Sequence, residues 1–207
     1  MRLRSDCAAP LLLLTLILVV GPSASAIAEE QMLSPEQQRR LDQGEVLVLK
    51  ADLVAGLSEG LAQVIIDRPW EEVWLAIVPI ENQTYLPRVR EIRVLEQSGS
   101  AYRARLVLGF LWWRIGYTLH LQADRDGRRL TWEIDPDADN DLNYTSGYWE
   151  LVPLATDRTL VTYYVALDIG YTIPGFIEDY LVRRDLPDVL HRLRERVMSR
   201  DGSEDER

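Results

Sequence analysis

The stretch Val64-Ile65-Ile66-Asp67-Arg68-Pro69-Trp70-Glu71-Glu72-Val73-Trp74 carries the chain from a β-branched run into an amphipathic helix. Ala62-Gln63-Val64-Ile65-Ile66 has the composition of a strand that packs against neighbours on a pleated surface. Asp67-Arg68-Pro69 ends it. Asp67 is a helix-capping residue type, and Pro69 suits a first turn, where a missing N–H costs no hydrogen bond. Trp70, Val73, Trp74 and Ile77 then recur at the i, i+3, i+4, i+7 spacing of one helical face. Val78-Pro79 stops this helix, residues 81–86 have room for one further turn, and Pro87 closes the segment.

Downstream, short alternating runs are separated by turn residues, the pattern of an antiparallel meander rather than of βαβ units. Strands are expected near 88–97, 101–110, 113–124, 128–135, 145–154 and 159–169. Ser98-Gly99-Ser100, Arg125-Asp126-Gly127 and Ala155-Thr156-Asp157-Arg158 supply hairpin turns, and Asp135 to Asp141 is a longer acidic connection. Ile173-Pro174-Gly175 ends the sheet region. Phe176 to Ser199 then reads as a long helix, kinked or restarted at Pro187. Its apolar stripe is Leu186, Val189, Leu190, Leu193 and Val197, opposed by Arg192, Arg194, Glu195 and Arg196. Upstream, Ser34-Pro35-Glu36-Gln37 fits a short helix start, Glu45 to Lys50 an edge strand, and Ala55 to Gly60 a separator.

Side chains alternate across a strand, so parity sorts buried from wet. Tyr102, Ala104, Leu106, Leu108 and Phe110 share one face, with Arg103 and Arg105 on the other. Trp113, Ile115, Tyr117, Leu119 and Leu121 continue the apolar face; Arg114, Thr118, His120, Gln122 and Asp124 oppose them. Leu130, Trp132, Ile134, Trp149, Leu151, Val161, Tyr163, Val165, Leu167 and Ile169 complete the inner set. Only the 70–77 helix and the terminal helix are available to cover it.

The N-terminus has a different character. Arg2 and Arg4 precede an apolar run from Leu11 to Val20, then Gly21-Pro22 and Ser23-Ala24-Ser25-Ala26, the order of a cleavable signal peptide. Ten apolar residues rise only about 15 Å as a helix, roughly half a bilayer core. The expected organisation is a leader over 1–26, an extension over 27–60 with a short helix and an edge strand, a domain over 61–199, and a charged, disordered tail over 200–207. Cys7 is the only cysteine and precedes the apolar run, so a secreted or periplasmic mature chain has no disulfide and relies on its core. The net charge of −10 becomes −11 once Arg2, Arg4 and Asp6 are removed with the leader, which disfavours nucleic acid and anionic lipid as partners of the chain as a whole.

The order strand, helix, short helix, six antiparallel strands, long helix resembles the START-like or helix-grip superfamily, with its polyketide cyclases/dehydrases and coenzyme Q-binding START-type lipid-binding proteins. Val64 to Trp74 looks like that family's first strand and "x-P-x-E-x-V-W" helix start. Pro87-Arg88-Val89 looks like its "P-x-V" entry to the second strand, and Gly147-Tyr148-Trp149-Glu150-Leu151 with Asp157-Arg158-Thr159 resembles its late hairpin. The resemblance implies an α+β fold in which a curved antiparallel sheet of about seven strands wraps a long C-terminal helix. It leaves function open, because the superfold hosts binding, transport and enzymatic members.

The catalytic inventory is thin. His120 falls on the polar sheet face, His191 lies beside the helix stripe, and neither has a triad partner. No paired His/Cys motif or Gly-rich phosphate loop occurs, so no catalytic residue, metal or cofactor is expected. Asp135, Asp137, Asp139, Asn140 and Asp141 lack the Gly and distal Glu of an EF-hand and read as a solvated acidic loop. The favoured function is binding of a hydrophobic small molecule or lipid, for which transient membrane contact is compatible. Trp74, Leu106, Leu108, Phe110, Trp113, Tyr117, Trp132, Trp149, Tyr163, Leu167, Phe176 and Tyr180 are the expected lining, with Ile169 to Phe176 as an entrance loop. The alternatives are a cyclase- or dehydratase-like enzyme in which Tyr117 or Tyr163 polarises a carbonyl, and a closed protein-interaction module with an acidic surface.

Overall fold

The computed structural model describes residues 33–54, 57–170 and 184–199. The expected leader, the entrance-loop residues from Tyr171, the 176–183 part of the terminal helix and the 200–207 tail lie outside these residues. In chain order the elements are α1 (Pro35–Asp42), β1 (Leu47–Val54), β2 (Leu57–Ile66), α2 (Trp70–Ile77) and a 3-10 helix (Ile80–Tyr85). Then follow β3 (Val89–Ser98), β4 (Ala101–Phe110), β5 (Trp113–Asp124), β6 (Arg129–Ile134), β7 (Tyr144–Ala155), β8 (Arg158–Asp168) and α3 (Asp185–Met198). The strands form one curved antiparallel sheet in the order β1-β2-β8-β7-β6-β5-β4-β3. This is the expected α+β helix-grip arrangement, with eight strands once the β1 edge is included.

Strands β3 to β8 run as a meander, and β2 closes onto β8 with Val64 opposite Val161. The α2 and 3-10 segments carry the chain from β2 to β3 at the opposite edge of the sheet. Leu57 to Gly60 belong to β2 rather than to a separator. Gly60 is there for proximity: a Cβ would lie 3.0 Å from Leu186 Cδ2, so an added methyl would require the Leu186 side chain to give by a few tenths of an ångström. Asp67 does not cap α2. Pro69 holds the N-cap position without a side-chain bond, while Asp67 Oδ1 lies 3.4 Å from Arg158 Nε. Pro187 falls in the first turn of α3, where it is tolerated without a kink. In the β5–β6 turn the left-handed residue is Arg128 (φ 51°), not Gly127, whose N–H donates to Asp124 Oδ1 at 2.9 Å.

Parity holds along the inner face. Ala104, Leu106, Phe110, Ile115, Tyr117, Leu119, Leu121, Leu130, Trp149, Leu151, Val161 and Leu167 are all buried. They meet Val73, Trp74, Ala76 and Ile77 of α2 and the Leu186, Val189, Leu190, Leu193, Val197 stripe of α3 in one cluster. Each fully buried Leu or Val of that stripe contributes about 1.5–3 kcal/mol.

The outer face departs from parity at Thr118, which is only 2% exposed. The 135–141 connection folds over it: Gly116 N–H donates to Asp141 Oδ2 at 2.7 Å, and Thr118 N–H to Asn140 Oδ1 at 2.8 Å. The acidic stretch is therefore part structural rather than wholly solvated. Asp135 is 2% exposed and accepts from Arg103 Nε at 2.7 Å and from the Asp137 N–H at 3.0 Å. The Arg103 guanidinium holds the Asp135 carboxyl below the usual carboxylate range.

Candidate functional site

Between the inner sheet face, the 3-10 segment and the first turns of α3 lies a cavity of about 140 Å³. Leu106, Leu108, Tyr117, Trp132, Trp149, Tyr163 and Leu167 from the sheet all line it, as do Ile115, Leu119, Leu121, Thr145 and Val165. Ile80, Gln83, Leu86, Pro87 and Val89 form one wall, and Asp185, Leu186 and Val189 come from α3.

Three expected lining residues are placed elsewhere. Trp74 is packed into the solid core beneath α2, at 4% exposure. Phe110 lies under the Arg88 guanidinium, 5.3 Å from its ring centre. Trp113 is half-buried against the core at the far end of the β4–β5 hairpin. Phe176 and Tyr180 fall outside the described residues.

The wall opposite the 3-10 segment is aromatic. Tyr163 stacks on Trp132 with ring centres 5.5 Å apart and tilts against Trp149 at 4.4 Å. This arrangement depends on Gly147, which pairs with Trp132 across β6 and β7. A Cβ at that position would lie 2.3 Å from both Trp132 Cζ2 and the Tyr164 carbonyl oxygen.

Few polar groups reach the cavity. Burial pushes the Tyr117 and Tyr163 hydroxyls well above the ordinary tyrosine value, so both are neutral at physiological pH. Neither hydroxyl is engaged by another described residue. Gln83 is committed, its Nε2 donating to the Ile77 carbonyl at 2.6 Å. Asp185 is the one carboxylate on the wall among the described residues. Burial pushes its pKa up, and Arg88, with Nε at 3.0 Å and Nη2 at 3.5 Å, partly counters that.

Against this partition lies a second, polar basin of about 310 Å³, bordered by Thr84, Arg88, Arg90, Asp188 and Arg192. The two spaces share Leu86, Pro87, Val89 and Asp185. The Arg88–Asp185 pair thus stands where apolar cavity meets polar basin.

Such a site has room for an apolar body and offers tyrosine donors to one polar group; among the described residues no Cys, Ser or His lines it. His120 lies on the outer face with Nε2 3.5 Å from Asp135, and His191 is exposed beside Arg194. Among the described residues no group of three or more His, Cys, Asp or Glu side chains is arranged for a metal, and no helix is long and apolar enough to cross a membrane. The wall residues that sequence reading missed had a signal: Ile80, Gln83 and Leu86 recur every three positions, one face of a 3-10 helix.

The profile of the polyketide cyclase/dehydrase and lipid transport family matches residues 61–198. No curated protein matches the chain significantly. Among solved structures, a protein from Thermus thermophilus superposes with a TM-score of 0.59 at 22% identity, covering 69% of this chain and 98% of that one. The STAR-related lipid transfer protein from Xanthomonas axonopodis gives 0.59 at 18%, covering 74% and 98%. The Zhui aromatase/cyclase from a Streptomyces species gives 0.51 at 18%, covering 72% and 88%. At these identities the structures speak for the fold, while the profile spans the sheet from β2 together with α3; the chain belongs to the polyketide cyclase/dehydrase and lipid transport family.

Proposed function

We propose that this domain is an exported binding protein for a hydrophobic small molecule or lipid, held between the sheet and α3. The carrying observation is the cavity itself: aliphatic and aromatic side chains enclose about 140 Å³, with two unengaged tyrosine hydroxyls to orient one polar group. An engineered apolar void of about 150 Å³ stays dry and takes a benzene-sized guest, so this volume suits a ring or a chain segment. A longer guest would extend past Leu86 and Val89 toward the polar basin. The Arg2/Arg4, apolar run and Ala24/Ala26 order supports export. One structural neighbour is named for lipid transfer and another as an aromatase/cyclase, in keeping with a hydrophobic guest.

Native purification followed by organic extraction and mass spectrometry tests this. A single apolar species in near-stoichiometric amount is expected; repeated absence, with no apolar probe bound, defeats the reading. A cyclase-like activity is favoured by one observation, the neutral, unengaged Tyr117 and Tyr163 hydroxyls facing the same space. Under that reading Tyr163→Phe would abolish turnover of a poly-carbonyl substrate while leaving its binding within a few-fold.

A further inference from the structure

The β4–β5 hairpin turns at Leu111 and Trp112, the two most exposed large hydrophobic residues among those described, at 69% and 79%. Leu111 is held at φ 54°, a left-handed conformation that two-residue hairpin loops normally give to Gly, Asn or Asp. The turn therefore sets a strained backbone under a side chain that gains nothing from the core. Single exposed hydrophobic residues are ordinary, but a Trp and a Leu together on a strained tip are not accounted for by folding.

The root of the tip carries cations in a chain whose net charge is −10, and the acidic 135–141 connection reaches the same strand only beyond them, where Asp141 Oδ2 accepts from the Gly116 N–H. No Asp or Glu occurs from Gln97 to Ala123. Arg114 pairs across the hairpin with Gly109, and the Arg90 side chain lies over that glycine, where a Cβ would be 2.6 Å from its Nε. Both arginines are exposed or nearly so at the root of the tip, and neither forms an ion pair among the described residues. The same Arg90 borders the polar basin that abuts the apolar cavity.

We propose that the β4–β5 tip docks on an anionic phospholipid bilayer, Trp112 and Leu111 entering the headgroup region while Arg90 and Arg114 meet lipid phosphates. Tryptophan is enriched at membrane interfaces, and cationic side chains near an anionic surface add attraction. A convex tip of two side chains offers far less than the roughly 1,200 Å² of a stable protein interface, whereas a bilayer accepts a narrow prong. Docking stands on the tip alone; its purpose, presenting the basin and cavity to the membrane, rests on the binding reading above.

Sedimentation with phosphatidylcholine vesicles, with and without phosphatidylglycerol, tests it. The wild-type protein is expected to partition onto the phosphatidylglycerol vesicles and to be released by high salt. Leu111→Gly/Trp112→Ser should lower that partitioning at least tenfold, with circular dichroism and apolar-probe affinity unchanged, because glycine accepts the turn and neither side chain reaches the cavity. Arg90→Gln/Arg114→Gln should cost roughly fivefold per arginine and flatten the salt dependence. No wild-type partitioning, equal partitioning of the tip variant, or a lipid-free dimer that the tip variant abolishes would each overturn the proposal. Probe affinity reads the cavity independently, so loss of vesicle binding with intact probe binding sinks docking but not the binding reading.

Discussion

Arg88 Nε lies 3.0 Å from Asp185 Oδ2, tying the entry of β3 to the first turn of α3 at the wall shared by cavity and basin. The carboxylate side chain is 6% exposed and the guanidinium 32%. Removing the arginine leaves a buried charge, which costs about 3–5 kcal/mol where both partners are buried and less here, on the order of 2 kcal/mol, because Arg88 is partly wet. Arg88→Met is thus expected to destabilise by that amount, and Arg88→Met/Asp185→Leu by less than the sum of the single changes, in urea unfolding. Burial already raises the Asp185 pKa, and without Arg88 it rises further. A raised folded-state carboxyl loses stability as pH rises through it, so Arg88→Met should be relatively more stable near pH 4 than at pH 7.

Asp135 has the opposite sign. Its folded pKa is lowered, chiefly by the Arg103 hydrogen bond, so it stabilises the fold above the unfolded value of about 3.9 and loses that as pH falls below it. Asp135→Asn should be less stable than wild type at pH 7, with the gap narrowing toward about pH 2. Denaturant midpoints at the two pH values read this directly.

Gly147→Ala is expected to destabilise by at least about 2 kcal/mol, the overpacking range, because its methyl meets a backbone carbonyl that cannot swing away. The Trp132 ring, which lines the cavity, must also shift. A lower melting temperature together with changed tryptophan fluorescence is the expected pair of signals.

Alkaline titration addresses the buried tyrosines. Tyr117 and Tyr163 are held above the ordinary tyrosine range by burial, and burial with the Glu59 hydrogen bond pushes Tyr164 up to about 12. Unfolded tyrosines ionise near 10, so stability falls as pH rises through that value. Tyrosinate absorbance should show Tyr117, Tyr163 and Tyr164 ionising late, and the late fraction should shrink by one tyrosine in Tyr164→Phe.

The meander was legible because period-two alternation and turn residues are local properties; Leu119 and His120 separate onto opposite faces as their pattern requires. Thr118 was misplaced because what covers it comes from residues 135–141, and the destination of a loop is not written in its own sequence. Gly60 reads locally as a turn, yet its reason is Leu186, far along the chain. The lining was partly legible. Parity finds Tyr117, Trp132 and Tyr163 on the inner face, but whether an inner residue meets packing, as Trp74 does, or open space, depends on how helix and sheet approach each other. Asp185 was missed because a polar residue near a helix end is indistinguishable in sequence from a surface one.

The most direct test is fluorescence titration with the uncharged probe N-phenyl-1-naphthylamine, comparing wild type with Val165→Phe, which fills the cavity from β8. One probe per wild-type chain, with at least tenfold weaker binding to Val165→Phe at unchanged circular dichroism, is the expected result. Equal binding to both, or none to the wild type after delipidation, would contradict a cavity that takes an apolar guest.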